Sequence, residues 1–179
     1  MIRRIYKNIE LLNDWVGRAV SWLNLVLVLL VCYDVLTRYL FNNTSAWIME
    51  LEWHIFALIF LLGGAYALKE DRHVRVDLFY QDFKRKDKAL VDFIGTALFL
   101  LPWAVLLWYF ATQYAHESFL LKESSPDPGG LPARYIIKYA IVIGFGLLFL
   151  QGIALLLKSG EMLFSKREPE SMSKDSSND

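Results

Sequence analysis

The chain has 179 residues, 55% of them hydrophobic and 15% aromatic, more apolar than the core of a soluble domain requires. Its 19 basic and 19 acidic side chains cancel to a formal charge of zero, which argues against a nucleic-acid partner and shifts attention to where the charges sit. Cys32 is the one cysteine, so an intrachain disulfide and a cysteine metal site are excluded.

At the N-terminus, Ile2, Ile5, Tyr6, Ile9 and Leu12 form an apolar stripe beside Arg3, Arg4 and Lys7. The pattern predicts, over residues 1–15, an amphipathic helix lying in the membrane interface against anionic lipid headgroups. The alternative is a helix that covers the protein itself.

Four long apolar stretches follow, over residues 16–36, 47–68, 89–110 and 135–157. A bilayer core about 30 Å thick takes roughly 20 helical residues to cross. The runs are continuously apolar and lack the alternation of barrel strands. The expected fold is an all-α membrane protein with four transmembrane helices, comprising a membrane domain over 16–165. The first stretch is long, lacks a small-residue cleavage site and precedes three more spans, so it reads as a retained span and not as a signal peptide.

Arg38 follows Asp34 by four residues near the end of the first span, a spacing that lets the two pair on one helix face. On the second span Glu50 and His54 repeat that spacing, and Glu52 points elsewhere. Ionisable groups inside a span are costly and are functional candidates for that reason. His54 is the one histidine in a span, which weighs against a haem held by two axial histidines.

Between the second and third spans, Val76, Phe79, Tyr80 and Phe83 recur at helical spacing among polar residues. A second flat interfacial helix is expected over residues 74–84. Pro102 is expected to kink the third span, and Gln151 in the fourth needs a hydrogen-bonding partner. The loop between them, with Ser125-Pro126-Asp127-Pro128-Gly129-Gly130-Leu131-Pro132, predicts an ordered turn. Residues 166–179, polar and poor in apolar side chains, are expected to be a disordered tail.

Basic residues cluster before the first span (Arg3, Arg4, Lys7, Arg18), between the second and third (Lys69 to Lys88) and after the fourth. They far outnumber those in the other two loops. By the positive-inside rule both termini are expected in the cytoplasm.

The stretches Trp47-Ile48-Met49-Glu50-Leu51-Glu52, Gly63-Gly64-Ala65-Tyr66-Ala67 and His73-Val74-Arg75-Val76-Asp77 resemble the small membrane subunit, DctQ type, of tripartite ATP-independent periplasmic (TRAP) transporters. The resemblance extends over roughly residues 10–160. It implies a bacterial inner-membrane scaffold with three kinds of partner: a large membrane subunit that translocates a small organic acid, a periplasmic substrate-binding protein, and membrane lipids. No cofactor is expected in this chain; sodium ions are expected in the large subunit. By position, Glu50, Glu52, Gly63, Gly64, His73 and Asp77, together with Arg38, become the candidates for contacts that fix subunit geometry. No enzymatic constellation stands against this reading. The alternatives are an anchor or assembly subunit of another membrane complex, or a small proton-coupled exporter, which the position of Asp34 beside Arg38 makes less attractive.

Overall fold

A computed structural model describes residues 2–70, 83 and 85–164. Four helical rods are long and apolar enough to cross a membrane. Helix α1 spans Ile2–Phe41 and α2 spans Ala46–Lys69. The third rod joins α3 (Arg85–Gly95) through a π-helical turn at Thr96–Leu100 to α4 (Leu101–Leu120), and α5 spans Tyr135–Phe164. One end of the bundle, here the terminal end, gathers the start of α1, the end of α2, the start of α3 and the end of α5. The other, the loop end, carries residues 42–45 and 121–134.

Helix α5 is the hub, packed against all the other rods. Its sequence explains why: small residues let neighbouring backbones approach closely. A Cβ on Gly144 would lie 2.8 Å from the Leu61 carbonyl oxygen of α2, and one on Gly152 would lie 2.9 Å from a Leu101 methyl of α4. Ala140 and Ala154 are buried on the same helix. Helices α1 and α2 close on each other in the same manner, where a Cβ on Gly17 would run into the Tyr66 ring.

The π turn sits immediately before Pro102. Proline lacks the amide hydrogen that would continue the helical ladder, and its ring crowds the preceding turn. The Leu101 amide donates to the Thr96 carbonyl five residues back, so the chain widens by one residue where Pro102 interrupts the ladder.

Helix α1 differs from the sequence expectation. There is no break between residues 15 and 16; the 40-residue helix runs through. At about 1.5 Å per residue it is roughly 60 Å long, about twice the bilayer core. Its first four turns lie along the end of α5 and do not form a separate flat element. Arg3 Nε donates to Glu161 at 2.7 Å, Tyr6 reaches the same carboxylate at 3.4 Å, and Lys158 bonds Glu10 at 3.3 Å. Tyr6 and Ile9 are half-buried while Ile5 and Leu12 are exposed, so the apolar stripe is divided between α5 and the outside. Of the expected interfacial helix at 74–84 only Phe83 is among the described residues, and the tail at 166–179 lies outside them.

Between these polar ends, Asn13 Nδ2 donates to Gln151 Oε1 at 2.7 Å, and the two residues are 1% and 3% exposed. Gln151 thus finds its partner on α1. Nearby, Lys69 bonds Asp14 and lies 3.3 Å from Glu70, while Arg18 stands 4.0 Å from the same Asp14. The end of α2 is thereby tied to α1.

Candidate functional site

The densest polar arrangement lies at the loop end, and Glu50 organises it. Glu50 is one turn into α2 and only 5% exposed. Its carboxylate accepts the Ser125 hydroxyl and, at 2.5 Å, the Leu131 amide. Both donors belong to the Pro/Gly-rich loop, so a single carboxylate clamps that loop onto the bundle. The loop's own geometry makes this possible. Gly130 donates to the Asp127 carbonyl at 3.0 Å with Pro128 and Gly129 between them, and Gly129 has φ +78°. Proline then glycine at the two central positions is the chemistry of a type II turn. Gly130 itself has no room for a side chain, since a Cβ would meet Ser125 and lie 2.8 Å from Glu50 Oε2.

A second set of contacts ties the two stems of the loop. Glu123 accepts the Ser118 hydroxyl at 2.6 Å and is ion-paired with Lys138 in the first turn of α5. Lys138 and the Ser118 hydroxyl hold the Glu123 carboxyl below the usual glutamate range. The Arg134 amide donates to the Glu123 carbonyl at 2.8 Å. Lys138 Nζ also lies 4.0 Å above the Tyr114 ring, and the Arg134 guanidinium lies 5.6 Å above the Trp53 ring. These are cation–π distances.

Beside the clamp, Arg38 Nη2 and Asp34 Oδ2 are 2.5 Å apart on α1. Asp34 is 3% exposed, and its other oxygen has no hydrogen-bond partner among the described residues. The same holds for Glu52 Oε1 on α2. The two acidic residues of the Glu50–Glu52 stretch therefore sit differently: Glu50 accepts from the loop, and Glu52 keeps a buried oxygen with no partner among the described residues. Residues two apart on a helix point about 200° from each other, which accounts for the division.

The sequence profile described as "Tripartite ATP-independent periplasmic transporters, DctQ component" matches residues 27–159. The chain belongs to the DctQ family. It is also 28% identical over 113 residues to the C4-dicarboxylate TRAP transporter small permease protein DctQ of Vibrio cholerae serotype O1. That alignment covers 63% of this chain and 48% of the relative, so the chain matches about half the length of that protein. The DctQ match contains both halves of the Glu50 clamp and begins after Asn13 and Asp14.

Of the residues singled out from sequence, Arg38 pairs with Asp34 and Glu50 clamps the loop, while no hydrogen bond or ion pair among the described residues joins Glu52 to either. Gly63 and Gly64 have open space where a side chain would stand, with nothing within 4 Å. His73 and Asp77 lie outside the described residues. The spacing of Glu50 and His54 does not produce a side-chain pair. His54 Nδ1 is 2.5 Å from the Glu50 main-chain oxygen, which requires the proton on Nδ1 because a carbonyl only accepts.

Sequence reasoning missed Ser125, Glu123, Lys138 and Arg134 as a group. Glu123 and Lys138 carried a usable signal: opposite charges flanking a turn-rich loop, one of them inside the first turn of a strongly apolar helix. Nothing local marked Ser125 or the Leu131 amide as partners of Glu50.

Proposed function

We propose that this chain is the small permease subunit of a TRAP transporter. It is an inner-membrane scaffold with both termini in the cytoplasm, holding a large substrate-translocating subunit. The complex carries out sodium-coupled uptake of a small organic acid delivered by a periplasmic binding protein. Membership of the DctQ family over residues 27–159 carries this reading.

Physical features support it. Polar groups are bonded to one another at both ends of the bundle, by Arg3–Glu161, Lys69–Asp14 and Asn13–Gln151 at one and by the Glu50 and Glu123 contacts at the other. Such cross-ties favour a fixed frame. The outward faces of α1 and of the third rod carry exposed Leu25, Leu29 and Leu36, and Phe99, Trp103 and Phe110, surfaces suited to lipid or another membrane protein. The skew of basic residues toward the terminal end supports placing that end in the cytoplasm. The loop end then faces the binding protein, and sodium sites belong to the large subunit.

The test is co-expression with the large membrane protein encoded beside this chain, and purification through a tag on this chain alone. Stoichiometric recovery, with sodium-driven uptake by the reconstituted pair only when binding protein is present, is the expected result. A solitary oligomer, or uptake catalysed by this chain alone, would overturn the reading.

A further inference from the structure

Helices α2 and α4 both pack on α5 and make at most marginal contact with each other. The seam between them opens at the loop end into a cavity of about 350 Å³. Its inner part is apolar, lined by Ala57, Leu61 and Ile141; its outer part carries Arg134, Lys138 and Glu123. Trp53 and Tyr114 stand at its sides, rings of the kind that favour the headgroup layer. A cavity charged at one end and apolar along the span direction fits an amphiphile.

The two cations in it are not equivalent. Lys138 is paired with Glu123. The Arg134 guanidinium stacks over Trp53 and has no hydrogen bond or ion pair among the described residues. Its backbone is held by Glu123, so the planar fork of donors is positioned at the cavity and lacks an acceptor. A phosphate or carboxylate oxygen pair matches that fork, and of the two only a lipid phosphodiester brings an apolar chain for the inner lining. Arg134 and Lys138 stand against Glu50 and Glu123, so the site has no excess positive charge to concentrate a free multivalent anion. A singly charged phosphodiester joined to an apolar chain meets both halves of the lining.

We propose that this cavity binds a phospholipid, with the headgroup phosphodiester on Arg134 and the start of an acyl chain along Ala57, Leu61 and Ile141. The inference rests on the chain being membrane-embedded and is independent of its transport role. A lipid seated there bridges α2 and α4, which the protein leaves unjoined.

The test uses the full chain, alone and in complex with its large partner, in mild detergent. Native mass spectrometry counts phosphatidylethanolamine or phosphatidylglycerol retained per chain. Wild type should keep about one lipid through delipidation, and Arg134→Gln should retain about tenfold less, the weight of one charge-assisted contact. Arg134→Lys should fall between them. Ala57→Phe, which fills the inner part and leaves Arg134 in place, should also release lipid and carries the test if Arg134→Gln does not fold. Lys122→Gln should change nothing. Equal retention by wild type, Arg134→Gln and Ala57→Phe would overturn the proposal. So would displacement of lipid by inorganic phosphate at equal concentration, which would mark a soluble-anion site. Lipid on the isolated chain but absent from the complex would also overturn it, in favour of an acidic side chain of the partner. Co-purification of the large subunit is read separately, so failure here leaves the scaffold reading standing.

Discussion

Glu50 and Leu131 are 81 residues apart in sequence, yet the carboxylate of one accepts the amide hydrogen of the other at 2.5 Å. With the Ser125 hydroxyl on the same carboxylate, this contact makes the Pro/Gly-rich loop part of the bundle surface. In Glu50→Gln an amide nitrogen replaces one of two accepting oxygens and faces donors. The loop should loosen while the helices persist. Trypsin cleavage at Lys122 and Arg134 should become several-fold faster with helical circular dichroism unchanged; unaltered cleavage would show that the loop is held without the clamp.

Asn13 and Gln151 form a buried pair between α1 and α5. Replacing either with leucine leaves the other unsatisfied, at a cost of about 1–2 kcal/mol in a membrane setting. The double Asn13→Leu/Gln151→Leu variant should recover much of that loss, because no polar group remains orphaned. Reversible unfolding in mixed micelles measures the four corners of the cycle.

Glu123 is held below its ordinary value of 4.5 by Lys138 and Ser118. A carboxylate with a depressed folded-state pKa contributes stability in full above its unfolded value, and that contribution disappears as pH falls through the folded value. The melting temperature of wild type should therefore drop on acidification below about pH 4.5, and Glu123→Gln should show a shallower drop from a lower plateau. Identical slopes would mean that the carboxylate is not stabilised by Lys138.

Glycines on α2 and α5 should respond in opposite ways. At Gly144 a methyl group would press on the Leu61 carbonyl of α2, so Gly144→Ala should destabilise the isolated chain by about 1–3 kcal/mol. At Gly63 and Gly64 the space is open, so leucine there should leave the melting temperature within a degree or two. If these two positions seat the large subunit, its recovery with the tagged chain should fall several-fold. Unchanged recovery would remove them from that interface.

The spans were legible in the sequence because hydropathy is a sum over about 20 neighbours, and neighbours are what a sequence displays. The second stretch, 47–68, ends within a residue of α2 at Ala46–Lys69. The helices outrun the apolar windows where polar faces pair: α1 continues back to Ile2 because Arg3 and Glu10 meet Glu161 and Lys158 on α5. Local spacing suited Asp34 and Arg38, whose partners are four residues apart. It misled at Glu50, where the neighbour at His54 was in view and the true partners, Ser125 and Leu131, were not. Pairing across 75 and 81 residues depends on how helices assemble, which no window of sequence contains.

The π turn before Pro102 also sets the phase of the third rod. Its buried positions on α5 fall at Ala89 and Thr96, then Ala104, Ala111, Ala115 and Ser118. Seven residues separate the first two and Ala104 from Ala111, but eight separate Thr96 from Ala104. The extra residue held in the turn advances the stripe by one position, so one line of small side chains stays against α5 on both sides of the proline. Winding the turn as a regular α-helix with no residue removed would rotate everything beyond it by about 100°. Ala104, Ala111 and Ala115 would then leave the seam, and large side chains such as Trp103 or Phe110 would be turned toward α5. The turn acts as a clutch between two half-rods that must mesh with the same gear.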